Sequence, residues 1–281
     1  NNIKPVKNII MKRTFLTILS LISLLNCRNS DEQKDITNED KNITEYNPNY
    51  MDYRNSDGSF FPIIGDNIKL NYQNSMISKR IGEALPSSIS TITQDIYDEV
   101  TYYPNEINIV KKTSVPNLII PNYNKKIYLV NGTISQIVIK SNKSNINDTL
   151  KFSYSGTNIS SITTYNKGIK SKAWLYFNTS GNLDSIITKY GDLNFISLTN
   201  YSYSLNESTK KRRKEVFSNY DTYQNPLKNL IIFDETFNRS VSKNNFRSYS
   251  EYYYDKNNSQ QNSLVRDWTL IYENNRVNFA K

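Results

Sequence analysis

The sequence predicts a mainly β fold, in which repeated hairpins form an antiparallel meander with an open sheet and one or two short helices. Short runs rich in Ile, Val, Tyr and Thr alternate with clusters of Asn, Gly, Ser and Pro, as strands alternate with turns. The signature apolar–(Ser/Asp)–(Ser/Gln)–Ile begins at residues 134, 159 and 183. Such nearly constant spacing indicates stacked supersecondary units.

Composition excludes several classes of function. The chain has no histidine, which excludes histidine-based acid–base catalysis, Ser-His-Asp triads and metal sites with histidine ligands. Four cations precede the single cysteine, Cys27, and without them the net charge falls from +9 to +5. This mild charge predicts no nucleic-acid partner. No phosphate-binding loop or metal-ligand spacing is present, so we expect no cofactor and no metal.

The first element in the chain is an apolar run at residues 14–25, directly after Lys12 and Arg13. A transmembrane helix needs roughly 20 apolar residues, so this run is too short to span a membrane. Its length and the preceding cations are typical of a signal peptide.

The residues before the cysteine carry a resemblance to a known sorting signal. Leu24, Leu25 and Asn26 precede Cys27 and resemble the lipobox of bacterial lipoproteins. The resemblance implies that residues 1–26 are upstream residues plus a lipoprotein signal peptide, and that lipidated Cys27 holds the mature protein at a membrane. An ordinary secreted leader with an incidental cysteine is the alternative.

Residues 27–59 are predicted to form a flexible acidic and polar tether, because they hold too few apolar residues for a core. Residues 28–35 resemble the Ser-plus-acidic export signal of surface lipoproteins from Bacteroidota, especially flavobacteria. That resemblance implies a lipid-anchored outer-membrane protein exposed at the cell surface. The periplasmic face of the membrane is the alternative.

Residues 60–281 are predicted to form the mainly β domain. In its first part, strands are expected at 68–72, 102–103, 107–110 and 118–120, whereas 77–85 and 92–100 fit a strand or a helix. Hairpin repeats follow at about 126–190, and their three turns are Asn131-Gly132, Ser155-Gly156 and residues 178–182. These turn residues favour positive φ, as tight hairpins require. A looser fourth copy covers 268–279.

A C-terminal block is expected at about 220–281. Apolar residues between 227 and 237 fall loosely at helical spacing, which predicts a short helix with Pro226 near its N-terminus.

The tyrosine-containing hairpins with Gly turns resemble the YD-repeat-like β-meanders of uncharacterised lipoproteins from Bacteroidota, especially flavobacteria. Those proteins carry Tyr-Asp, Asn-Pro and Ser-Lys-Asn-Asn near their C-termini. The matching residues here are Tyr220, Asp221, Asn225, Pro226, Ser242, Lys243, Asn244 and Asn245. The resemblance covers the leader and roughly residues 125–281. It implies a fold and a location, and it carries no catalytic residue.

Two groups of side chains are candidate ligand-binding residues. The first group lies in a basic run and suits an anionic polysaccharide, lipopolysaccharide or DNA: Lys210, Lys211, Arg212 and Arg213. The second group could stack on sugars: Tyr249, Tyr252, Tyr253 and Tyr254. A solvated hairpin tip and ordinary cross-strand packing are the respective alternatives.

Two tripeptides resemble the O-glycosylation sequon of envelope proteins from Bacteroidota. They are Asp148-Thr149-Leu150 and Asp184-Ser185-Ile186. The resemblance implies modification of Thr149 and Ser185.

Carboxylates are the remaining candidates for chemistry. They cluster at Asp95, Asp98, Glu99 and Glu106, and again at Asp234-Glu235. A glycosidase needs two carboxyl groups roughly 5–10 Å apart across a cleft, and nothing in this spacing indicates that arrangement. We therefore expect solvated acids, no catalytic residue and no enzymatic activity.

The sequence as a whole predicts a membrane-anchored cell-envelope lipoprotein that acts as a non-enzymatic binding or scaffolding module. A glycan or an envelope protein is the expected partner. The alternative is a carboxylate-dependent polysaccharide-processing enzyme at the cell surface. An enzyme predicts a concave cleft with two converging acids, whereas a binding module predicts an open sheet without one. A purely structural lipoprotein would bind no glycan.

Overall fold

The computed structural model describes residues 42–52, 63–85, 90–116, 118, 120, 123–141, 147–197, 200–274 and 276–281. The predicted leader, Cys27, and tether residues 27–41 and 53–59 lie outside the described residues.

The described residues form nineteen strands and one short α-helix, α1 (Phe237–Ser240). In chain order the strands are β1 (Glu45–Tyr46), β2 (Ile63–Ile64), β3 (Ile68–Gln73), β4 (Met76–Leu85), β5 (Ser90–Tyr103), β6 (Glu106–Thr113), β7 (Tyr123–Val130), β8 (Thr133–Ser141), β9 (Asn147–Ser155), β10 (Asn158–Tyr165), β11 (Ile169–Phe177), β12 (Leu183–Tyr190), β13 (Asp192–Phe195), β14 (Tyr201–Ser204), β15 (Arg212–Ser218), β16 (Ser248–Tyr254), β17 (Gln260–Asp267), β18 (Tyr272–Glu273) and β19 (Arg276–Val277).

One antiparallel sheet follows the chain order almost throughout. Its path runs from β1 to β3, continues strand by strand to β12, and ends with β15, β16 and β17. The short strand β2 pairs in parallel with β5, and β13–β14 and β18–β19 form two small ribbons. The predicted mainly β meander with an open sheet is therefore confirmed.

The hairpin turns have the backbone conformation that their residues favour. Asn131 and Gly132 both have positive φ, at 50° and 76°, as a two-residue hairpin turn requires. Gly156 and Gly181 also have positive φ, at 61° and 82°. Asparagine and glycine adopt this conformation at low cost, which is why the turns could be located in the sequence.

The first part of the sheet differs from the prediction in two places. The ambiguous runs 77–85 and 92–100 are strands, within β4 and β5. Leu118 and Ile120, in contrast, lie outside any strand, although a strand was predicted at 118–120.

Part of the predicted tether belongs to the folded unit. Strand β1 pairs with β3, and the side chains of Tyr46 and Met51 are 0% and 1% exposed. The backbone N–H of Asn47 donates to the carbonyl of Phe279. The prediction that residues up to 59 form a tether was wrong for 42–52, because a few apolar side chains suffice when a sheet edge is ready to bury them.

The predicted helix at 227–237 is broken. Two 3₁₀ turns, Lys228–Leu230 and Asp234–Thr236, precede α1, and Phe233 between them is extended at φ −105° and ψ 135°. The hydroxyl of Thr236 hydrogen-bonds the carbonyl of Leu230. The extended Phe233 places its ring 5.6 Å from the Arg80 guanidinium, so packing against the sheet outweighs local helix propensity.

The core lies between one face of the sheet and the two parts of the C-terminal block that lie outside the sheet, residues 225–240 and 268–281. Leu227, Leu230, Phe233 and Phe279 pack with strand residues such as Ile127 in one cluster of buried side chains. A second cluster joins β10, β11, β12, β15 and β16 to Phe246. We call the covered face of the sheet the inner face and the opposite one the outer face.

Candidate functional site

A belt of charged side chains crosses the inner face at strands β4–β7. Arg80 on β4 lies opposite Asp98 on β5, and Asp98 lies opposite Lys111 on β6. Residues directly opposite one another in neighbouring strands point to the same face, so all three point inward. Lys125 on β7 lies opposite Ile109 and extends the belt.

A cavity of about 360 Å³ lies between this belt and the C-terminal block. Its lining residues are Arg80, Glu83, Asp98, Ile109, Lys111, Lys125, Ile139, Asp148, Phe233, Asp234 and Glu235. Small-molecule sites are typically about 300–1,000 Å³, so the cavity is large enough for a small ligand.

Arg80 organises the floor of the cavity and is only 3% exposed. Its Nη1 lies 3.2 Å from Asp98 Oδ2 and 3.3 Å from Glu83 Oε2, and its Nη2 lies 2.6 Å from Glu235 Oε1. Its Nε donates to the Tyr46 hydroxyl at 3.1 Å, which in turn donates to Glu235 Oε1 at 2.8 Å. The floor is therefore a hydrogen-bonded network centred on one guanidinium.

Three acid–lysine pairs surround this floor, and we call them the rim pairs. They are Glu83–Lys111 at 2.8 Å, Asp234–Lys125 at 2.7 Å and Asp148–Lys170 at 2.9 Å. The side chain of Asp234 is 72% exposed, whereas that of Lys125 is 14% exposed. Asp234 therefore lies at the entrance and Lys125 lies deeper.

Burial and charge shift the pKa values of two acids in opposite directions. Burial raises the pKa of Asp98, although Arg80 and Lys111 oppose the shift. Burial also acts to raise the pKa of Glu235, but Arg80 and the hydrogen bond from Tyr46 outweigh it and lower that pKa. Glu235 makes the shorter contact with Arg80 and accepts a hydrogen bond from Tyr46, whereas the neighbouring carboxylates Glu83 and Glu235 add to the rise in the pKa of Asp98.

Two acids thus converge at the cavity, and the expectation of a sheet without a cleft was wrong. Both Asp98 and Glu235 contact Arg80, through different nitrogens of the guanidinium. In a glycosidase the sugar lies between the two carboxyl groups. Here the guanidinium of Arg80 bridges them.

The predicted acid cluster is divided between the two faces of the sheet, because successive residues of a strand point in opposite directions. Asp95, Asp98 and Glu99 lie on β5, and Glu106 begins β6. Glu99 and Glu106 pair with Lys112 and Lys126 on the outer face, away from the cavity. Asp95 is exposed and hydrogen-bonds Ser114. Only Asp98 of this cluster lies in the cavity.

Sequence reasoning missed the cations of the cavity. The available signal was a lysine at an inward position of an alternating strand. Lys111 continues the series of Ile107 and Ile109, and Lys125 precedes Ile127. Arg80, opposite Asp98, gave no comparable signal.

The two groups of ligand-binding candidates lie on neighbouring strands. Arg212 on β15 is opposite Tyr254 on β16, and both point to the outer face. Lys210 and Lys211 are exposed in the loop before β15. Tyr252 lies two residues from Tyr254 and shares its face.

Tyr249, Arg213 and Tyr253 point inward instead, which corrects their assignment to an exposed binding surface. Tyr249 is 1% exposed, and its hydroxyl donates to Glu215 Oε1 at 2.9 Å and also bonds Glu251. Arg213 Nη2 lies 2.9 Å from Glu215 Oε2. Tyr253 is opposite Arg213 and therefore shares its face.

The two predicted glycosylation sites differ in exposure. Thr149 is half-buried on β9, and its modification remains a prediction. Ser185 on β12 is 7% exposed, and its hydroxyl donates to Asp184 Oδ2. A bulky glycan requires a surface position, so the folded structure does not favour modification of Ser185.

Within the described ranges, no helix has the length and hydrophobicity that a membrane span requires. No group of three or more Asp, Glu, Cys or His side chains in those same ranges could hold a metal ion.

No family model matches the chain, and no curated protein matches it. Among solved structures, the chain is similar to a porin-like protein from Bacteroides vulgatus ATCC 8482, with a TM-score of 0.46 and 12% sequence identity. The match covers 75% of this chain and 86% of the other. A likeness this weak carries no functional conclusion.

Proposed function

We propose that the protein is a membrane-anchored lipoprotein of the cell envelope and a non-enzymatic binding module. Its cavity takes a neutral ligand rich in hydroxyl groups, such as a saccharide unit. The observation that carries this proposal is the set of three rim pairs around a cavity of about 360 Å³.

The rim pairs match the hydrogen-bonding chemistry of hydroxyl groups. A hydroxyl both donates and accepts, a carboxylate only accepts, and an ammonium group only donates. The pairs Glu83–Lys111 and Asp234–Lys125 each place an acceptor and a donor within 2.7–2.8 Å of each other on the cavity lining, so neighbouring hydroxyls of a sugar can bond both. From the third pair only the acceptor, Asp148, lines the cavity. Ile109, Ile139 and Phe233 supply an apolar wall for the C–H face of a sugar ring.

The balance of charge favours a neutral ligand. Five carboxylates and three cations line the cavity, and Lys170 contributes a fourth cation through Asp148. With every group ionised the net charge is −1, and protonation of Asp98 would remove it. An anionic ligand would have to displace carboxylates that already hold these cations. Partly buried ion pairs add little stability, which supports a role in binding.

The location at the envelope is supported by the leader and the lipobox-like residues. We propose an outer-membrane protein that is lipidated on Cys27 and exposed at the cell surface. Cys27→Ser should release the protein from membranes, because no acyl chain would then be attached. Fractionation of cells followed by immunoblotting measures this, and a variant that stays in the membrane fraction contradicts the lipidation.

One observation favours the alternative, a carboxylate-dependent enzyme that processes polysaccharides. Asp98, with a raised pKa, and Glu235, with a lowered pKa, differ as a general acid and a nucleophile do. Arg80 bridges the two, so a substrate would have to displace the guanidinium to lie between them. For this reason binding without cleavage is the preferred function.

Calorimetric titration of the purified protein tests both functions. The ligands are uncharged sugars: glucose, galactose, N-acetylglucosamine, maltose and cellobiose. We expect at least one of them to bind and to remain intact after prolonged incubation. Cleavage that Asp98→Asn abolishes would establish the enzyme instead. Failure of all five to bind would contradict the proposal and leave a structural role.

A further inference from the structure

A row of cations crosses the outer face of the sheet. Lys151 on β9 lies opposite Thr163, which lies opposite Lys172 on β11, and Lys172 lies opposite Lys189 on β12. Thr188 on β12 is opposite Arg213 on β15, the next strand of the sheet. Arg212, which precedes Arg213, therefore lies beside Lys189, which follows Thr188. We call Lys151, Lys172, Lys189 and Arg212 the cationic row.

An aromatic row lies beside it, two residues further along the strands. Trp174 is opposite Ile187, Ile187 is opposite Lys214, and Lys214 is opposite Tyr252. Trp174 and Tyr252 are the two rings of this row, with Ile187 and Lys214 between them. The ammonium groups of Lys172 and Lys189 lie 5.0 Å and 5.8 Å from the Trp174 ring. The two rows therefore form one continuous surface.

The cationic row is largely without counter-charges. Across the described parts of the chain, its one ion pair joins Lys172 to Glu207 at 2.8 Å, and Lys189 donates a hydrogen bond to the backbone carbonyl of Glu207. Arg212 contacts the amide oxygen of Asn258 and stacks 4.1 Å from the ring of Tyr254. The surface therefore carries a net positive charge that a polyanion would neutralise.

The four cations are arranged in a line across the strands. Neighbouring strands lie about 4.8 Å apart, so the row extends roughly 19 Å from β9 to β15. A linear polymer that runs perpendicular to the strands would meet each cation in turn. A flat lipid surface would instead be matched by a broad patch of charge.

We propose that the cationic row and the aromatic row bind a linear acidic polysaccharide, bearing carboxylate or sulfate groups, across strands β9–β12, β15 and β16. The cations pair with the acidic groups, while Trp174 and Tyr252 offer rings on which sugar faces stack. The predicted export supports a polysaccharide over a nucleic acid. The inference concerns the outer face and does not depend on the cavity.

Fluorescence polarisation with a labelled alginate hexamer tests the proposal. Unlabelled alginate and uncharged cellohexaose serve as competitors. We expect alginate alone to compete, and affinity to fall at least about tenfold between 50 and 200 mM NaCl because ion pairing is screened. Lys172→Gln/Lys189→Gln should weaken binding about tenfold, since each exposed ion pair contributes up to about 1 kcal/mol.

The matched control is Lys69→Gln/Lys228→Gln, which removes two exposed lysines outside both rows. It should leave alginate affinity unchanged, with unfolding temperatures compared for both variants. Equal weakening by the control overturns the proposal, because binding would then depend on net charge alone. Tighter binding of a thymidine dodecamer, or of phosphatidylglycerol vesicles, with the same loss in the row variant also overturns it. So does the absence of alginate binding.

Discussion

At the scale of single residues, Arg80 determines the character of the inner face. A buried guanidinium is tolerated only when it is paired and hydrogen-bonded, and Arg80 contacts Asp98, Glu83 and Glu235. The sequence drew attention to Asp98 and Glu235 as acids. Their meeting could not be predicted, because it depends on how the C-terminal block lies over strands that are far away in the chain.

Glu235→Gln should lower the free energy of unfolding at pH 7 by about 1–3 kcal/mol, because it removes a charged partner of Arg80. The pKa of Glu235 lies below its ordinary value of 4.5, so its contribution is present above pH 4.5 and is lost as the pH falls through the lowered pKa. Urea unfolding across pH 7 to 3 measures this. A difference from wild type that grows as the pH falls would contradict it.

Asp98→Asn should have the opposite pH dependence. The pKa of Asp98 is raised above 3.8, so the stability from its protonated form is present below that value and is lost as the pH rises through the raised pKa. At pH 7 the neutral amide avoids the cost of a buried charge, and Arg80 keeps two acids. We expect a free energy of unfolding within about 0.5 kcal/mol of wild type or higher. Loss of several kcal/mol at pH 7 would show that ionised Asp98 stabilises the fold.

At the scale of elements, strands and turns follow closely from the local sequence, whereas the conformation of residues 225–240, which pack over the inner face, does not. The turn at Asn131-Gly132 has the positive φ values that these residues favour. The segment around Phe233 departs from its helical pattern because the phenyl ring packs beside Arg80. Turn conformation depends on the residues of the turn itself and can be predicted from them. The contact of Phe233 with Arg80 is long-range, and nothing in residues 227–237 indicates it.

Substitutions at two glycines measure separately the cost of a strained backbone conformation and the cost of a steric clash. At Gly132 (φ +76°) an added Cβ would meet nothing within 4 Å, whereas at Gly168 (φ +118°) it would lie 2.0 Å from the carbonyl oxygen of Tyr203. Gly132→Ala should cost about 1 kcal/mol, and Gly168→Ala should cost at least about 2 kcal/mol. Thermal unfolding of the two variants measures the difference, and equal costs would contradict the close approach of β14.

At the scale of the whole molecule, the fold class was predictable and the candidate site was not. The strand-like runs, the turn clusters between them and the repeated signature at residues 134, 159 and 183 identify a sheet of hairpins. They do not reveal that Lys111 and Lys125, at inward positions, meet Glu83 and Asp234 around a cavity. The cavity exists because residues 225–240 cover the inner face, and that cover was expected only as a short helix.

Calorimetric titration with the best sugar of the uncharged panel tests the binding role most directly. Lys111→Gln/Lys125→Gln removes the donors of two rim pairs, and Lys69→Gln/Lys228→Gln removes two lysines outside the cavity. The rim variant should weaken binding at least about tenfold, because two hydrogen bonds from charged groups are lost, while the control binds as wild type does. Unchanged affinity in the rim variant, with its fold intact by circular dichroism, would show that the sugar does not bind in this cavity.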